Sequence, residues 1–187
     1  MGRQYRCDDY LRAVDAASSR LDDLALTTDL IVGFPGETQA DFDTTLRIAE
    51  RCAFAKIHIF PFSPRQGTPA YNWQNEMPSA EIIKDRAAQL AGLEARLALD
   101  FRRRFLGRSV RVLVETSKER RHNGPQPAET GGFLCGGRAD QYFPVRFTAD
   151  ADLDNRFVYV RVDQVPAHDQ PARGTLVGIA DNPVNVR

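Results

Sequence analysis

The chain has few residues of the kinds that bind metals or form disulfides. Its 187 residues include only three cysteines, Cys7, Cys52 and Cys135, and three histidines, all far apart along the sequence. The cysteines form no C-x-x-C or C-x-x-x-C-x-x-C pattern, so their spacing predicts neither a zinc site nor an iron–sulfur site. Cys52 falls near the end of a predicted helix, where we interpret it as a small buried hydrophobic residue.

Long apolar runs and an imbalance of charge are also lacking. No apolar run approaches the roughly 18–20 residues of a membrane span, and no signal peptide begins the chain, so we expect a cytoplasmic protein with no membrane partner. Basic and acidic residues number 25 each, which makes the formal net charge zero. Whole-chain electrostatics therefore gives no indication of a nucleic-acid partner.

The rest of the chain is organised around residues 27–37, which read T-T-D-L-I-V-G-F-P-G-E. The apolar run at 30–32 does not alternate, as in a parallel strand buried on both faces. Two glycines, Gly33 and Gly36, bracket a proline and end the strand. Thr38 and Asp41 then form the [ST]-x-x-[DE] pattern of a capped helix. The sequence thus predicts a βα unit whose ligands would gather at the carboxyl end of the strand.

The first half of the chain alternates helices and strands. Its spacing predicts helices from Asp8 or Asp9, over 39–51 and over 78–106, with a second strand over 55–60. A proline-rich loop over 61–69 follows that strand. The result is an α-β-α-β-α order of the α/β class.

The second half reads as β structure throughout. Strands are predicted over 108–115, 133–135, 145–148, 157–162 and 175–179, with a polar loop over 116–132. Several short strands without a convincing helix favour a small all-β barrel of the OB type. We place the domain boundary at Gly107, which gives domains 1–106 and 107–187.

Two long motifs carry a resemblance to a known family. The string T-T-D-L-I-V-G-F-P-G-E-T, the later F-P-F-S-P-R-Q-G-T-P-A and the opening M-G-R-Q-Y-R with Tyr10 resemble the radical-SAM methylthiotransferases. These enzymes insert a methylthio group into tRNA or a ribosomal protein. The second motif is most similar to the branch that acts on N6-threonylcarbamoyladenosine at tRNA position 37. The branch that acts on N6-isopentenyladenosine at that position is the alternative.

The resemblance implies a fold and cofactors. Residues 1–106 would form the last part of a (β/α) barrel that cleaves S-adenosyl-L-methionine at a [4Fe-4S] cluster, and 107–187 a tRNA-gripping TRAM domain. The cluster motif and the family's N-terminal domain are not in this sequence, so no cysteine is carried over as a cluster ligand and no catalytic or metal-binding residue is assigned. We expect the isolated chain to be inactive. The alternatives are a non-catalytic tRNA-binding module and the remnant of a broken gene.

The resemblance also indicates cofactor-binding residues. Gly33 and Gly36 would let the backbone approach the adenosyl group, because they have no Cβ. Glu37 either accepts hydrogen bonds from the ligand or stabilises the helix N-terminus. Arg65 is the best candidate for binding a carboxylate or phosphate in bidentate fashion. The complete expected set is Gly33, Gly36, Glu37, Phe60, Pro61, Ser63 and Arg65.

The β module offers basic and aromatic side chains that suit a phosphate backbone and unstacked bases. The expected RNA-binding set is Arg108, Arg111, Arg138, Tyr142, Arg146 and Arg161, with tRNA as the partner. A partial barrel also leaves an open strand edge. We therefore expect the first domain to associate either with the missing N-terminal portion or with itself.

Overall fold

A computed structural model describes residues 4–119, 132–167 and 170–180. The chain divides into two compact units, Met1–Phe101 and Arg102–Arg187. Among the described residues, no helix combines the length and the apolar character that crossing a membrane requires.

The first unit contains the predicted alternation of helices and strands. Its elements are α1 (Cys7–Ser18), β1 (Thr27–Val32), α2 (Gln39–Cys52), β2 (Lys56–Pro61), a 3-10 helix (Pro69–Glu76) and α3 (Ala80–Arg103), whose last residues belong to the second unit. The 3-10 helix is not predicted from the sequence. It begins at Pro69, where the missing N–H of proline costs no helical hydrogen bond.

β1 and β2 form a two-stranded parallel sheet, in register from Thr27 beside Lys56 to Val32 beside Pro61. Helices cover only one face of this sheet among the described residues. On the other face Ile31 is 39% exposed and Phe60 is 51% exposed. The expectation of a strand buried on both faces is therefore wrong for this chain. The apolar run at 30–32 has a covered side and an open side.

Two apolar clusters hold the helices on the covered face. The larger one contains Val14, Ala49, Cys52, Phe54, Ile57 and Leu97, and the smaller one contains Val32, Phe42 and Leu90. The interpretation of Cys52 as a buried hydrophobic residue is confirmed, since it is 8% exposed. Burial raises the pKa of its thiol.

The start of α2 has the predicted cap. Thr38 is the N-cap residue, its hydroxyl accepts the Asp41 N–H, and the Asp41 carboxylate accepts the Thr38 N–H at 3.0 Å. The hydrogen bond from the Thr38 hydroxyl lowers the pKa of Asp41, with a further contribution from the Thr38 backbone N–H. In α1, by contrast, the N-cap is Arg6, and Asp9 lies in the first turn, where it accepts the Arg6 N–H.

The second unit is a closed five-stranded barrel, as the prediction of a small all-β barrel requires. Its strands are β3 (Ser109–Glu119), β4 (Phe133–Ala139), β5 (Pro144–Ala149), β6 (Phe157–Gln164) and β7 (Ala172–Ile179). They follow the order β3-β4-β5-β7-β6, with β5 and β7 parallel and every other pair antiparallel. Residues 116–119 extend β3, which corrects their assignment to the loop. The remainder of that loop, up to 131, lies outside the described residues.

Valine side chains fill the barrel, and two glycines let its strands approach each other. Val112, Val114, Val145, Val158, Val160 and Val162 are all essentially inaccessible to solvent. A Cβ at Gly137 would overlap the Leu113 carbonyl of β3, and a Cβ at Gly174 would overlap the Arg161 carbonyl of β6. Each glycine lies near an irregularity in strand register, between Val114 and Thr116 and between Val162 and Gln164.

Candidate functional site

The carboxyl ends of β1 and β2 lie side by side in the first unit. The Phe62 N–H donates to the Val32 carbonyl at 2.8 Å, directly after the last paired residues of the two strands. The rings of Phe34 and Phe62 meet edge to face with their centroids 5.0 Å apart. The turn at 33–37, called the corner here, thus lies next to the loop that follows β2.

A buried ion pair holds the corner in place. Glu37 Oε2 accepts a hydrogen bond from the Gly33 N–H at 2.8 Å and from Arg86 Nη1 at 2.6 Å. Arg86 Nη1 also donates to the Glu37 carbonyl at 3.2 Å. The Arg86 and Glu37 side chains are only 5% and 11% exposed. The Oε2 atom of Glu37 therefore ties α3 to the turn, and the two roles predicted for Glu37 stay predictions.

Arg86 is the residue of this corner that sequence reasoning missed. Its guanidinium lies over the Phe42 ring, 5.3 Å from the centroid, and its Nε has no hydrogen-bond partner among the described residues. The available signal is its place in α3, between Ile83 and Leu90 on the apolar stripe. A charged residue at such a position predicts a buried partner.

The two corner glycines have different neighbours. Both have positive φ, +75° at Gly33 and +77° at Gly36. A Cβ at Gly33 would lie 2.6 Å from Ile83 Cγ1, so the close approach there is made by α3. At Gly36 the nearest atom to such a Cβ would be Glu76 Oε2 at 3.8 Å, and the residue is exposed. Of the two glycines, only Gly36 has free space where a Cβ would lie, although its N–H donates to the Glu76 carbonyl at 2.9 Å.

The remaining expected cofactor-binding residues are exposed. Phe60 lies beside Ile31 in register on the open face of the sheet, where the two form an apolar pair. Pro61 ends β2, and Ser63 and Arg65 follow on the loop. The Arg65 carbonyl accepts a hydrogen bond from the Thr68 hydroxyl at 2.7 Å, and Arg65 is exposed.

These residues fit an adenosyl group in part and an iron–sulfur cluster not at all. The apolar pair of Ile31 and Phe60 and the space beside Gly36 suit a planar base, whereas Gly33 and the Oε2 atom of Glu37 already have protein partners. In the part of the chain that the structure describes, no three His, Cys, Asp or Glu side chains are grouped so as to hold a metal ion. We therefore derive no step through a cluster from these residues.

In the second unit, three of the expected RNA-binding residues lie around the β4–β5 turn. Arg138 Nη1 donates to the Tyr142 carbonyl at 3.1 Å, and the Tyr142 side chain is highly exposed. Arg111 Nε donates to Asp140 at 2.8 Å, and its guanidinium lies 4.9 Å from the centroid of the Phe157 ring. The structure therefore brings Arg111, Arg138 and Tyr142 together, with two carboxylates beside them, Asp140 at Arg111 and Glu115 at Arg138.

The other members of the set are distributed around the barrel. Arg108 lies over the Phe105 ring, 5.1 Å from its centroid. Arg161 Nε donates to Asp163 Oδ1 at 2.9 Å, and the Thr175 hydroxyl donates to Asp163 Oδ2 at 2.6 Å. The hydrogen bond from Thr175 is the main cause of a lowered pKa at Asp163, and the hydrogen bond from Arg161 lowers that pKa further.

Arg146 differs from the other arginines of the set. It is exposed, and its side chain makes no hydrogen bond or ion pair with any residue that the structure describes. It lines a groove of about 350 Å³ on the outside of the barrel. The other lining residues are Glu115, Thr116, Gly136, Gly137, Pro144, Val145 and Pro171.

Comparison with curated proteins identifies relatives of the chain. It is 37% identical to the tRNA-2-methylthio-N(6)-dimethylallyladenosine synthase of Acetivibrio thermocellus over 165 residues, which cover 88% of this chain and 32% of that protein. It is 43% identical to the threonylcarbamoyladenosine tRNA methylthiotransferase of Thermotoga maritima over 115 residues, 62% of this chain and 26% of that protein. The chain thus spans about a third or less of the curated relatives it matches. No protein-family profile matches it.

Proposed function

Because this chain is related to the tRNA methylthiotransferases, over about a third of their length or less, we propose that it functions as part of such an enzyme. Its first unit would contribute the end of a radical-SAM barrel, and its second unit would bind tRNA as a TRAM-like barrel in the cytoplasm. The observation that carries the proposal is the sequence identity of 37% over 88% of the chain.

The geometry of the corner supports the cofactor role of the first unit. Ligands of parallel α/β folds bind at the carboxyl ends of the strands, where Val32 and Pro61 lie side by side. There Ile31 and Phe60 offer an apolar wall, Gly36 leaves space beside its Cα, and the exposed Arg65 would contact a carboxylate. S-adenosyl-L-methionine at a [4Fe-4S] cluster supplies the radical chemistry in the family. The residues of this chain would bind and orient the adenosyl group.

The strand order of the barrel supports the RNA-binding role of the second unit. OB-type barrels bind oligonucleotides on the face of their second and third strands. Those strands correspond to β4 and β5, which carry Arg138 and Arg146. Aromatic and arginine side chains on such a face stack on unpaired bases and bind phosphates.

We propose N6-threonylcarbamoyladenosine at tRNA position 37 as the substrate, with N6-isopentenyladenosine as the second candidate. The first choice is supported by the 43% identity to the Thermotoga maritima relative. The longer match, over 165 residues, is to a dimethylallyladenosine synthase and favours the second.

A pair of chimeric enzymes tests the proposal. In each, this chain replaces the matching segment of one relative, the Thermotoga maritima enzyme or the Acetivibrio thermocellus enzyme, and reconstituted protein is incubated with tRNA carrying each modified adenosine. Mass spectrometry of the nucleosides should detect the methylthio product. Chimeras that bind their clusters but yield no product with either tRNA would contradict the enzymatic role.

The isolated chain should form no methylthio product, because its three cysteines do not provide the cluster motif. It should still shift tRNA in a gel at low salt, and the shift should weaken as salt rises. Binding by the full chain together with inactive chimeras would favour a tRNA-binding module without catalysis. Neither binding nor activity would favour the remnant of a broken gene.

A further inference from the structure

We propose that Arg146 and Arg173 together bind one phosphate of the RNA backbone, and so fix the register of the RNA on the second unit. The proposal rests on the proposed function and adds Arg173, which the sequence does not single out. The two residues are called the arginine pair here.

The strand register places the arginine pair side by side. β5 and β7 are parallel, and Arg146 is the direct partner of Arg173. Both residues are exposed and alternate with the buried Val145 and Ala172, so both lie on the outer surface of the barrel. Like charges directly opposite each other on neighbouring strands are destabilising unless an anion lies between them.

No carboxylate of the described residues neutralises the pair. Neither arginine side chain makes a hydrogen bond or ion pair with a described residue. Next to Arg173 on β6 lies the uncharged Gln164. Asp163, also on β6, uses both carboxylate oxygens for Arg161 and Thr175.

The surroundings of the pair suit an extended backbone. In the same row across the barrel, Gly136 is the neighbour of Arg146 on β4, and Thr116 is the neighbour of Gly136 on β3. Without a side chain at Gly136, the groove beside Arg146 stays open over about 350 Å³. Glu115, the acidic residue of the groove, lies 3.7 Å from Arg138 Nε. A guanidinium binds phosphate oxygens in bidentate fashion, and two of them side by side enclose one phosphate.

Salt-dependent tRNA binding by the full chain tests the pair. The variants are Arg146→Gln, Arg173→Gln and the double variant, with Arg156→Gln as a control of equal charge change at another exposed arginine of the barrel. One lost phosphate contact lowers the slope of log K against log salt by about 1. The slope should fall by about 1 in each single variant and by no more than that in the double variant. The slope of Arg156→Gln should equal that of the parent chain.

The same series distinguishes the pair from separate contacts and from a structural role. A double variant whose slope falls by about 2 would mean two independent phosphate contacts and would overturn the shared site. If the parent chain binds tRNA and the variants have the same salt slope as the parent, the arginine pair is overturned and the proposed function is unaffected. Thermal melting should show Arg173→Gln as stable as the parent or more so, because a like-charge contact is removed. A marked loss of stability would indicate a structural role instead.

A titration with inorganic phosphate tests the pair independently of tRNA. The Nε–H resonances of Arg146 and Arg173 should shift together as phosphate is added, and Arg146→Gln should abolish the response of Arg173. If these resonances do not shift, the arginine pair is refuted regardless of the result of the tRNA-binding experiment. A parent chain that fails to bind tRNA at low salt refutes both the proposed function and the RNA ligand named here.

Discussion

A buried guanidinium needs a carboxylate partner, and Arg86 has that of Glu37. Removing one member of a buried ion pair leaves the other without compensation and destabilises a protein by about 3–5 kcal/mol. We therefore expect Arg86→Ala to lower the free energy of unfolding of the first unit by about 3 kcal/mol. Urea denaturation of the full chain, monitored by the near-UV circular dichroism of Trp73, measures this change in the free energy of unfolding.

Arg96→Ala is the matched control for that prediction. Arg96 lies on the same helix and pairs with Glu50 at 2.6 Å, but its side chain is 54% exposed. Exposed ion pairs contribute about 0–1 kcal/mol. Equal losses in the two variants would contradict the importance of the buried pair.

Gly33 and Gly36 should respond differently to the same substitution. Both have positive φ, so alanine is strained at either position. At Gly33 the new methyl group would also collide with Ile83, 2.6 Å away. We expect Gly33→Ala to destabilise the first unit by at least 1 kcal/mol more than Gly36→Ala. Calorimetry should also show partial rescue of Gly33→Ala by Ile83→Ala, and the absence of rescue would count against the proposed collision.

At the scale of the elements, the cap of α2 makes a contribution that depends on pH. Since folding lowers the pKa of Asp41, its stabilisation is present above the unfolded pKa and disappears as the pH falls through the folded value. Thr38→Ala removes the main cause of that shift and should destabilise the first unit by about 1 kcal/mol at pH 7. The difference in the free energy of unfolding between Thr38→Ala and the parent chain should become smaller below about pH 4.

Urea denaturation at pH 7 and pH 3 and a carbon NMR titration of Asp41 test this expectation. Thr45→Ala is the control, because the Thr45 hydroxyl donates to the Asp41 backbone carbonyl and leaves the carboxylate untouched. A pKa of Asp41 that is the same in Thr38→Ala and in the parent would contradict the assigned cause.

Local features of the elements could be predicted from the sequence, and distant contacts could not. The cap at Thr38 depends on spacing within four residues, and the turn at Gly33 depends on its own composition. The length of β3 escaped prediction because pairing with β4 extends it through the polar residues 116–119. The link between Arg86 and Glu37 joins residues 49 positions apart, which no local pattern specifies.

The exposure of Ile31 follows the same logic. An apolar residue in a strand predicts burial only if other elements supply a cover, and the sequence of the strand does not describe that cover. The same limit applies to the candidate site. The sequence predicted the glycines of the corner. It did not predict whether a helix or a ligand fills the space beside them.

At the scale of the whole molecule, the open face of the two-stranded sheet should drive self-association. Ile31 and Phe60 are side by side there and partly exposed, and exposed apolar faces and sheet edges attract further copies. The double variant Ile31→Asn, Phe60→Ser should shift sedimentation of the full chain toward the monomer.

Val177→Asn serves as the control for that experiment, because Val177 is 61% exposed but lies on the barrel of the second unit. Its sedimentation should match that of the parent chain. A parent chain that is monomeric at every concentration would contradict the prediction.

Gly137, where β4 pairs closely with β3, affects both the closure of the barrel and its outer surface. Gly137 lines the groove and also admits the Leu113 carbonyl, while Gly136 is the neighbour of Arg146. Any side chain added at 137 to reshape the groove would push β3 away and loosen the ring of strands. The groove can therefore be reshaped through its arginines and the loops of the barrel, but not by adding a side chain at Gly137.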